Sequence, residues 1–157
     1  MSYDTNNIFA KILRGEIPCI KLYEDEHTLA FMDIMPQTDG HALVIPKEHA
    51  TTIFELSDAA AAACMSTVRR IGHAQKKGLG ADGVVLMQLN GEGAGQTVPH
   101  FHIHVIPGSI ADLRRAHARA RSRLPDPSLP GARLSAPGLP SSCLPGARLS
   151  APGLSSA

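Results

Sequence analysis

The heptapeptide at residues 100–106 restricts the possible folds of this chain more than any other segment. It alternates histidine with apolar residues, as His-Phe-His-Ile-His-Val-Ile. Successive side chains of a β-strand point to opposite faces, so this period predicts a strand with three imidazoles on one face. Phe101, Ile103 and Val105 would then pack against a core, and the imidazole face would stand exposed in a cleft.

The rest of residues 1–107 is divided into short elements by glycine, proline and other turn-forming residues. Hydrophobic spacing predicts a short helix over 7–14 and a long helix over about 57–77, which Gly78 and Gly80 would end. Apolar runs predict strands over 19–23, 27–33, 42–45, 84–90 and 101–107. Together these elements predict an α+β fold: an antiparallel sheet of about five strands with one long and one short helix.

The C-terminal part of the chain differs in composition from the rest. Residues 1–107 carry 8 Lys and Arg against 12 Asp and Glu, whereas residues 108–157 carry 7 Arg against 2 Asp. An eleven-residue unit, 129–139, is repeated without change at 144–154, in a region rich in Pro, Gly and Ser that cannot build a core. The repeat and the change of charge suggest an altered reading frame or a divergent tail. We therefore predict a folded domain over 1–107, a transitional Arg-rich segment over 108–124 and a disordered low-complexity tail over 125–157.

Composition also bears on partners and location. No apolar stretch approaches the roughly 18 residues that span a bilayer, and the N-terminus lacks the features of a secretory signal, so we expect a cytoplasmic protein without a membrane partner. The acidic body argues against nucleic-acid binding, which depends on neutralised phosphates. Cys19, Cys64 and Cys143 lie far apart, which favours reduced, apolar side chains over disulfides or a cysteine metal site.

Two interpretations of the histidine cluster give it a chemical function. Imidazoles at i and i+2 on a strand can share a zinc ion, so a metal site is one of them. The other follows from the loop at residues 90–98, Asn-Gly-Glu-Gly-Ala-Gly-Gln-Thr-Val, whose backbone N–H groups could cradle a phosphate. That loop lacks the Gly-Lys-Ser/Thr of a Walker motif and by itself could be a flexible turn. Beside three histidines it would supply the donors that phosphoryl transfer needs.

The motif at residues 100–106 resembles the His-φ-His-φ-His-φ-φ signature of the histidine-triad family. The segments that resemble its nucleotide-binding, Hint-like branch are 7–18, 30–34, 40–49 and 94–98. The resemblance covers about residues 5–107. It implies a HIT-like fold and a hydrolase of purine nucleoside phosphoramidates or related nucleoside phosphate esters, with an AMP-like purine nucleotide as ligand and no cofactor.

The resemblance also assigns chemical roles. His102 would attack the α-phosphorus and form a covalent nucleotidyl-histidine that water resolves, with its other ring nitrogen donating to a nearby backbone carbonyl. His104 and Gln96 would hold the non-bridging oxygens, helped by backbone amides from Gly95 to Thr97. The Thr97 hydroxyl would relay a proton to the leaving group.

Supporting roles follow from the same resemblance. His100 and His41 would orient the cluster, Asp33 would accept hydrogen bonds from the ribose hydroxyls, and Asn90 would brace the phosphate side. The apolar slot for the purine ring would consist of Ile8, Phe9, Ile12, Phe31 and Ile34. For Phe31 and Ile12, simple core packing is an equal alternative.

The chain departs from the family in two places. Some members bind structural zinc through two cysteines near the first helix and two histidines. Asn7 and Ala10 stand where those cysteines would be, so we expect no metal despite His41 and His100. After Pro107 the resemblance ends, although the family's C-terminal residues help to complete the site and the dimer. A homodimer formed through the long helix and a strand edge is the family's expectation.

Other functions remain open at the level of sequence. Hydrolysis of dinucleoside polyphosphates would use the same histidine, and nucleotidyl transfer to a sugar phosphate fits a short chain less well. A nucleotide-binding or regulatory protein with weak or lost catalysis, or a metal-binding module, belongs to a different class. Replacement of His102 separates an enzyme from a binding protein.

Overall fold

The computed structural model describes residues 3–111, 114 and 115. In this part of the chain, two α-helices pack on a five-stranded antiparallel sheet, which confirms the predicted α+β fold. The elements in chain order are α1 (Ile8–Leu13), β1 (Lys21–Glu24), β2 (Thr28–Met32), β3 (Ala42–Pro46), α2 (Asp58–Leu79), β4 (Val84–Met87) and β5 (Ile103–Pro107), with a 3₁₀ turn at Glu92–Ala94 before β5.

The strand order in the sheet is β1-β2-β3-β5-β4, so β5 lies between β3 and β4. His104 of β5 stands opposite Leu43 on one side and Met87 on the other. Pairing on both sides satisfies the backbone of β5 and holds its side chains in a fixed register.

Both faces of the sheet are covered, because side chains alternate along β2 and β3. Ala30 and Val44 point to a core with Val68 of α2, whereas Phe31 and Leu43 point to a second core on the other face. Phe9 of α1 belongs to this second core, so α1 packs on the face opposite α2. The second face therefore carries both α1 and the histidine side chains.

Local chemistry explains where the long helix begins and ends. The Ser57 hydroxyl accepts a hydrogen bond from the backbone N–H of Ala60 at 3.2 Å and caps the first turn. Gly80 adopts the left-handed conformation, with φ +64°, and reverses the chain. The prediction that Gly78 ends the helix was wrong, because the helix continues through Gly78 to Leu79.

The strand that bears the histidines begins later than the alternation predicts. The backbone N–H of Phe101 donates to the carbonyl of Ala50, and that of His100 donates to the carbonyl of Val98. These bonds take the amides out of the ladder, and β5 begins at Ile103. His100 and His102 therefore lie in the segment that leads into the strand.

Several predictions concern residues beyond the described part. The tail over 125–157, its reading-frame interpretation and Cys143 lie outside it, as does most of the transitional segment over 108–124. Within the described part, no helix combines the length and apolarity needed to cross a membrane. Cys19 and Cys64 are free thiols, and Cys64 lies on α2 with its side chain buried in the core.

Candidate active site

His102 is held in a defined tautomer at a buried position. Its Nδ1 lies 2.7 Å from the carbonyl oxygen of His100, and since a carbonyl can only accept, Nδ1 carries the proton. No hydrogen bond from the described residues occupies Nε2, which leaves its lone pair free. Burial lowers the pKa of His102, while its bond to His100 and the charge of Asp33 oppose that shift. The ring meets Phe9 edge-on, with 5.1 Å between centroids.

His41 and His104 form a directed pair beside His102. The backbone N–H of Gln37 donates to Nδ1 of His41 at 3.1 Å, so the proton of the neutral His41 ring is on Nε2. This Nε2 lies 2.9 Å from Nδ1 of His104 and donates to it. His104 consequently carries its own proton on Nε2, which faces no acceptor among the described residues.

The electrostatics of the pair keep both rings neutral near pH 7. Burial lowers the pKa of His41, and the nearby Asp33 carboxylate opposes this. Burial, together with the neighbouring His102 and His41, lowers the pKa of His104 to about 4, again against the effect of Asp33. Asp33 Oδ2 lies 3.5 Å from His41 Nδ1 and 4.0 Å from His104 Nδ1.

His100 is enclosed in the protein interior. Its Nε2–H donates to the carbonyl of Pro46 at 3.0 Å, and the Tyr3 hydroxyl donates to Nδ1. Burial above all lowers the pKa of His100 to about 4. The expectation of an imidazole face exposed in a cleft was wrong for His100, which is buried away from the cavity, whereas His102 and His104 line it despite being buried and half-buried. The reason is that α1 and the N-terminal segment cover this face of the sheet.

A cavity of about 250 Å³ opens beside His102 and His104. Of the residues proposed for nucleotide binding, those that line it are Ile8, Phe9, Ile12, Phe31, Asp33, Ile34, Thr97, His102 and His104. The lining also includes residues that the sequence analysis missed, namely Ile17, Pro18, Cys19, Met35, Leu43 and Val98. Ile34 and Met35 are each 81% exposed, so the rim is apolar and open to solvent. Hydrophobic walls with a few convergent polar groups are typical of small-molecule sites.

Three residues of the Gly-rich loop that were proposed for nucleotide binding do not line the cavity. The Gln96 amide is used within the loop: Oε1 accepts from the N–H of Gly91, and Nε2 donates to the carbonyls of Thr51 and Val98. The Asn90 Oδ1 accepts from the N–H of Ile53 at 2.8 Å. Gln96, Asn90 and Gly95 are all absent from the cavity lining, whereas Thr97 reaches it. Backbone groups of a glycine-rich loop need partners, and these amide side chains supply them.

One group of side chains has the chemistry of a metal site. Donor atoms of Asp33, His41 and His104 all lie within 4.8 Å of one another, and imidazole with carboxylate suits a divalent transition metal. The rings of His41 and His104, however, already share a hydrogen bond. Asn7 and Ala10 contribute no ligand atom to this group: the Asn7 side chain accepts from the N–H of Ala10 as the cap of α1.

The fold and the site together define a small α+β protein with a buried histidine cluster beside an apolar cavity. The HIT domain family matches residues 14–110 of the chain. This chain belongs to the HIT (histidine-triad) family.

Relatives and solved structures are consistent with that assignment. The chain is 47% identical over 100 residues to adenosine 5'-monophosphoramidase hnt1 of Schizosaccharomyces pombe, covering 64% of this chain and 72% of that protein. It is 46% identical over 105 residues to adenylylsulfatase HINT3 of Arabidopsis thaliana, covering 67% of this chain and about half, 53%, of that longer protein. A Hit-like protein involved in cell-cycle regulation from Bartonella henselae superimposes with a TM-score of 0.66 at 40% identity, over 77% of this chain and 98% of that one.

Proposed function

We propose that this chain hydrolyses purine nucleoside phosphoramidates, or related nucleoside phosphate esters, through a nucleotidyl intermediate on His102. The observation that carries the proposal is the state of His102: a neutral ring with Nδ1–H bonded to a carbonyl and Nε2 free, in the wall of the cavity. An imidazole nitrogen attacks only through a lone pair, and this arrangement supplies one at neutral pH. The hydrolase names of the fission-yeast and Arabidopsis relatives support the proposal.

The reaction would proceed in two displacements. Nε2 of His102 forms a bond to the α-phosphorus as the bond from phosphorus to the leaving amine breaks, and the amine takes up a proton. The ring then carries a positive charge, which the His100 carbonyl stabilises through Nδ1–H and the Asp33 carboxylate stabilises electrostatically. Water then attacks the same phosphorus as the bond from phosphorus to Nε2 breaks, and a proton of the water passes to solvent. This step releases the nucleoside monophosphate and restores the neutral ring.

The groups around His102 suggest how the phosphate would be held. The Nε2–H of His104 is a neutral donor for a non-bridging oxygen, and the exposed Thr97 hydroxyl could relay the proton to the leaving group. We assign Gln96 a different part from the one first expected, because its side chain braces the loop from within. The backbone N–H groups of Gly95 and Gln96 also bond inside the loop, to the carbonyls of Glu92 and Gly91, so the expected phosphate contact would come from Thr97, which reaches the cavity.

The cavity walls suggest the orientation of the nucleoside. Ile8, Ile12 and Phe31 form an apolar surface for a purine ring, and Asp33 would accept hydrogen bonds from the ribose hydroxyls. His41 orients His104, and His100 orients His102 through its backbone carbonyl.

The test is turnover of a fluorogenic adenosine phosphoramidate by the full chain and by His102→Ala. We expect the substitution to lower kcat/KM by more than about 10³-fold, because the nucleophile is lost. His27→Ala, which removes an exposed histidine away from the cavity, is the matched control and should retain full turnover. AMP binding is measured on all three proteins by calorimetry.

Each other outcome contradicts the proposal in a different way. Undiminished turnover by His102→Ala would exclude a covalent step on His102. AMP binding without turnover by the unmodified protein would indicate a nucleotide-binding role. A strong preference for dinucleoside polyphosphates would retain the nucleophile but change the substrate.

We also propose that the chain forms a homodimer through α2 and β4. β4 is an edge strand, and Leu86 on it is 46% exposed, as is Met65 of α2 at 51%. With Val68 and Arg69 these two residues line a shallow, mainly apolar surface, which a second copy of the chain would cover.

A further inference from the structure

Gln75 of α2 joins β5 to the loop before β3, from the side of the sheet opposite the cavity. Its side chain is buried, and its Nε2 lies 2.9 Å from the carbonyl oxygen of Gly40 and 2.9 Å from that of Val105. One amide NH₂ group thus donates to both carbonyls. Gly40 precedes His41 in the chain, and Val105 follows His104.

The position of this amide matters because the strand ladder ends there. The paired residues of β3 and β5 are Ala42 with Val105, Leu43 with His104, and Val44 with Ile103. His41 lies one residue before this ladder, and its backbone bonds instead to Thr38 and Asp33. The Gln75 amide links the backbones of the two chain segments at the point where the β3–β5 pairing stops.

The close approach of Gly40 to α2 makes the link possible. Gly40 has φ +85°, and a Cβ at this position would collide with Leu79 Cδ1 and lie 3.3 Å from Pro107 Cγ. A residue with a Cβ would be strained at this positive φ and would displace the exposed end of the Leu79 side chain. The absence of a side chain brings the Gly40 carbonyl within reach of Gln75.

The orientation of the Gln75 amide follows from its partners. Among the described residues, its Oε1 is buried without a hydrogen-bond partner. Rotating the amide by half a turn would place that oxygen against two carbonyl oxygens, which repel it. The two donated hydrogen bonds therefore determine the orientation of the amide, and its acceptor oxygen Oε1 stays without a partner.

We infer that Gln75 is a positioning residue for the His41–His104 pair. By fixing the carbonyls of Gly40 and Val105, it sets the distance between His41 and His104 and so the direction in which the Nε2–H of His104 points. This inference rests on the proposed function, in which that N–H contacts the phosphate. The amide itself lies on the other face of the sheet and does not contact the substrate.

The experiment compares Gln75→Met with Thr67→Val in the full chain. Methionine has a similar length to glutamine but donates no hydrogen bond. Thr67 is also buried on α2 and shares a single hydrogen bond, 2.7 Å long, with the Thr28 hydroxyl, away from the histidines. Its replacement by valine is therefore a control for the loss of a buried hydrogen bond from the same helix. Urea unfolding of both variants measures how much stability each has lost.

Two measurements distinguish positioning from packing. We expect Gln75→Met to lower kcat for the adenosine phosphoramidate about 5- to 30-fold with a smaller change in KM, and Thr67→Val to stay within about 2-fold. Nitrogen-15 spectra of the imidazoles should show altered His41 and His104 signals in Gln75→Met alone. Unchanged kcat and unchanged imidazole signals in a folded Gln75→Met protein would overturn the inference.

The spectra do not depend on turnover, so they separate this inference from the proposed function. If the unmodified protein lacks turnover, perturbed His41 and His104 signals in Gln75→Met still support the positioning role. If Gln75→Met does not fold, Gln75→Asn replaces it, because asparagine keeps a neutral amide but is one methylene shorter and cannot donate to both carbonyls. The same two results decide the outcome for that variant.

Discussion

Lowering the pH from 7.5 to 5.0 should destabilise the folded protein, and the buried histidines allow the size of the effect to be worked out. The pKa of His100 and that of His104 are each about 4 in the folded protein, against about 6.5 for histidine in an unfolded chain. Between these values the unfolded chain binds more protons than the folded one. The contribution of these two histidines to stability is therefore fully present above pH 6.5 and is lost as the pH falls towards 4.

The magnitude follows from the two pKa values. Over the whole window, each histidine changes the free energy of unfolding by about 3.4 kcal/mol, and at pH 5.0 about 2 kcal/mol of this has been lost. At pH 5.0, His100 and His104 together lower the free energy of unfolding by about 4 kcal/mol. This is a large share of the roughly 5–15 kcal/mol that stabilises a small domain. His41 and His102 act in the same direction, since burial lowers the pKa of both.

The assay is urea unfolding followed by circular dichroism at pH 7.5, 6.0 and 5.0. His100→Gln removes one titrating ring, so between pH 7.5 and 5.0 this variant should lose about 2 kcal/mol less than the unmodified protein. Its stability at pH 7.5 will be lower, because the bonds to Pro46 and Tyr3 are changed. His27→Gln, an exposed substitution, is the control. The same pH dependence in His100→Gln and the unmodified protein would refute the reasoning.

Three further predictions test other parts of the structure. Gly40→Ala forces a side chain into a left-handed position, with φ +85°, so thermal unfolding should show a loss of about 1–3 kcal/mol; an unchanged melting curve would contradict the backbone strain. Leu86→Glu should convert a dimer into a monomer in light scattering, whereas Ile20→Glu, equally apolar and 71% exposed beside β1, should not; equal masses for both variants would exclude this interface. Asp33→Asn should raise KM for a ribonucleoside substrate about 10-fold or more and reduce discrimination against the 2'-deoxy analogue, because a charged acceptor is lost; retained discrimination would remove Asp33 from the ribose site.

Periodicity and turn residues predicted the elements well but their ends less well. The period of two at residues 100–106 correctly separated Phe101, Ile103 and Val105, which pack on the α2 side, from the histidines. It could not show that the ladder begins only at Ile103, because that depends on a bond from Phe101 to Ala50 in a distant loop. Gly78 appeared to be a helix end, yet glycine is tolerated inside a helix that packing supports.

Roles within the proposed site were predictable where a side chain has one dominant use. The resemblance anticipated the Nδ1 bond of His102 to a backbone carbonyl, and the structure contains it. Gln96 and Asn90 were harder to place, because an amide can serve a ligand or a loop equally well. Their partners, Gly91, Thr51 and Ile53, are known only once the loop is folded.

The sequence by itself determined the α+β class, the face on which the histidines lie and the family, since these depend on local periodicity and on motifs contiguous in the chain. Tertiary structure alone decided which histidines are buried and which proton each carries, because those properties depend on neighbours far away in sequence. Gln75 illustrates the difference: in the sequence it is a polar residue in a helix, and its two carbonyl partners lie 35 and 30 residues away. No local pattern records such a contact, because it exists only when helix and sheet pack together.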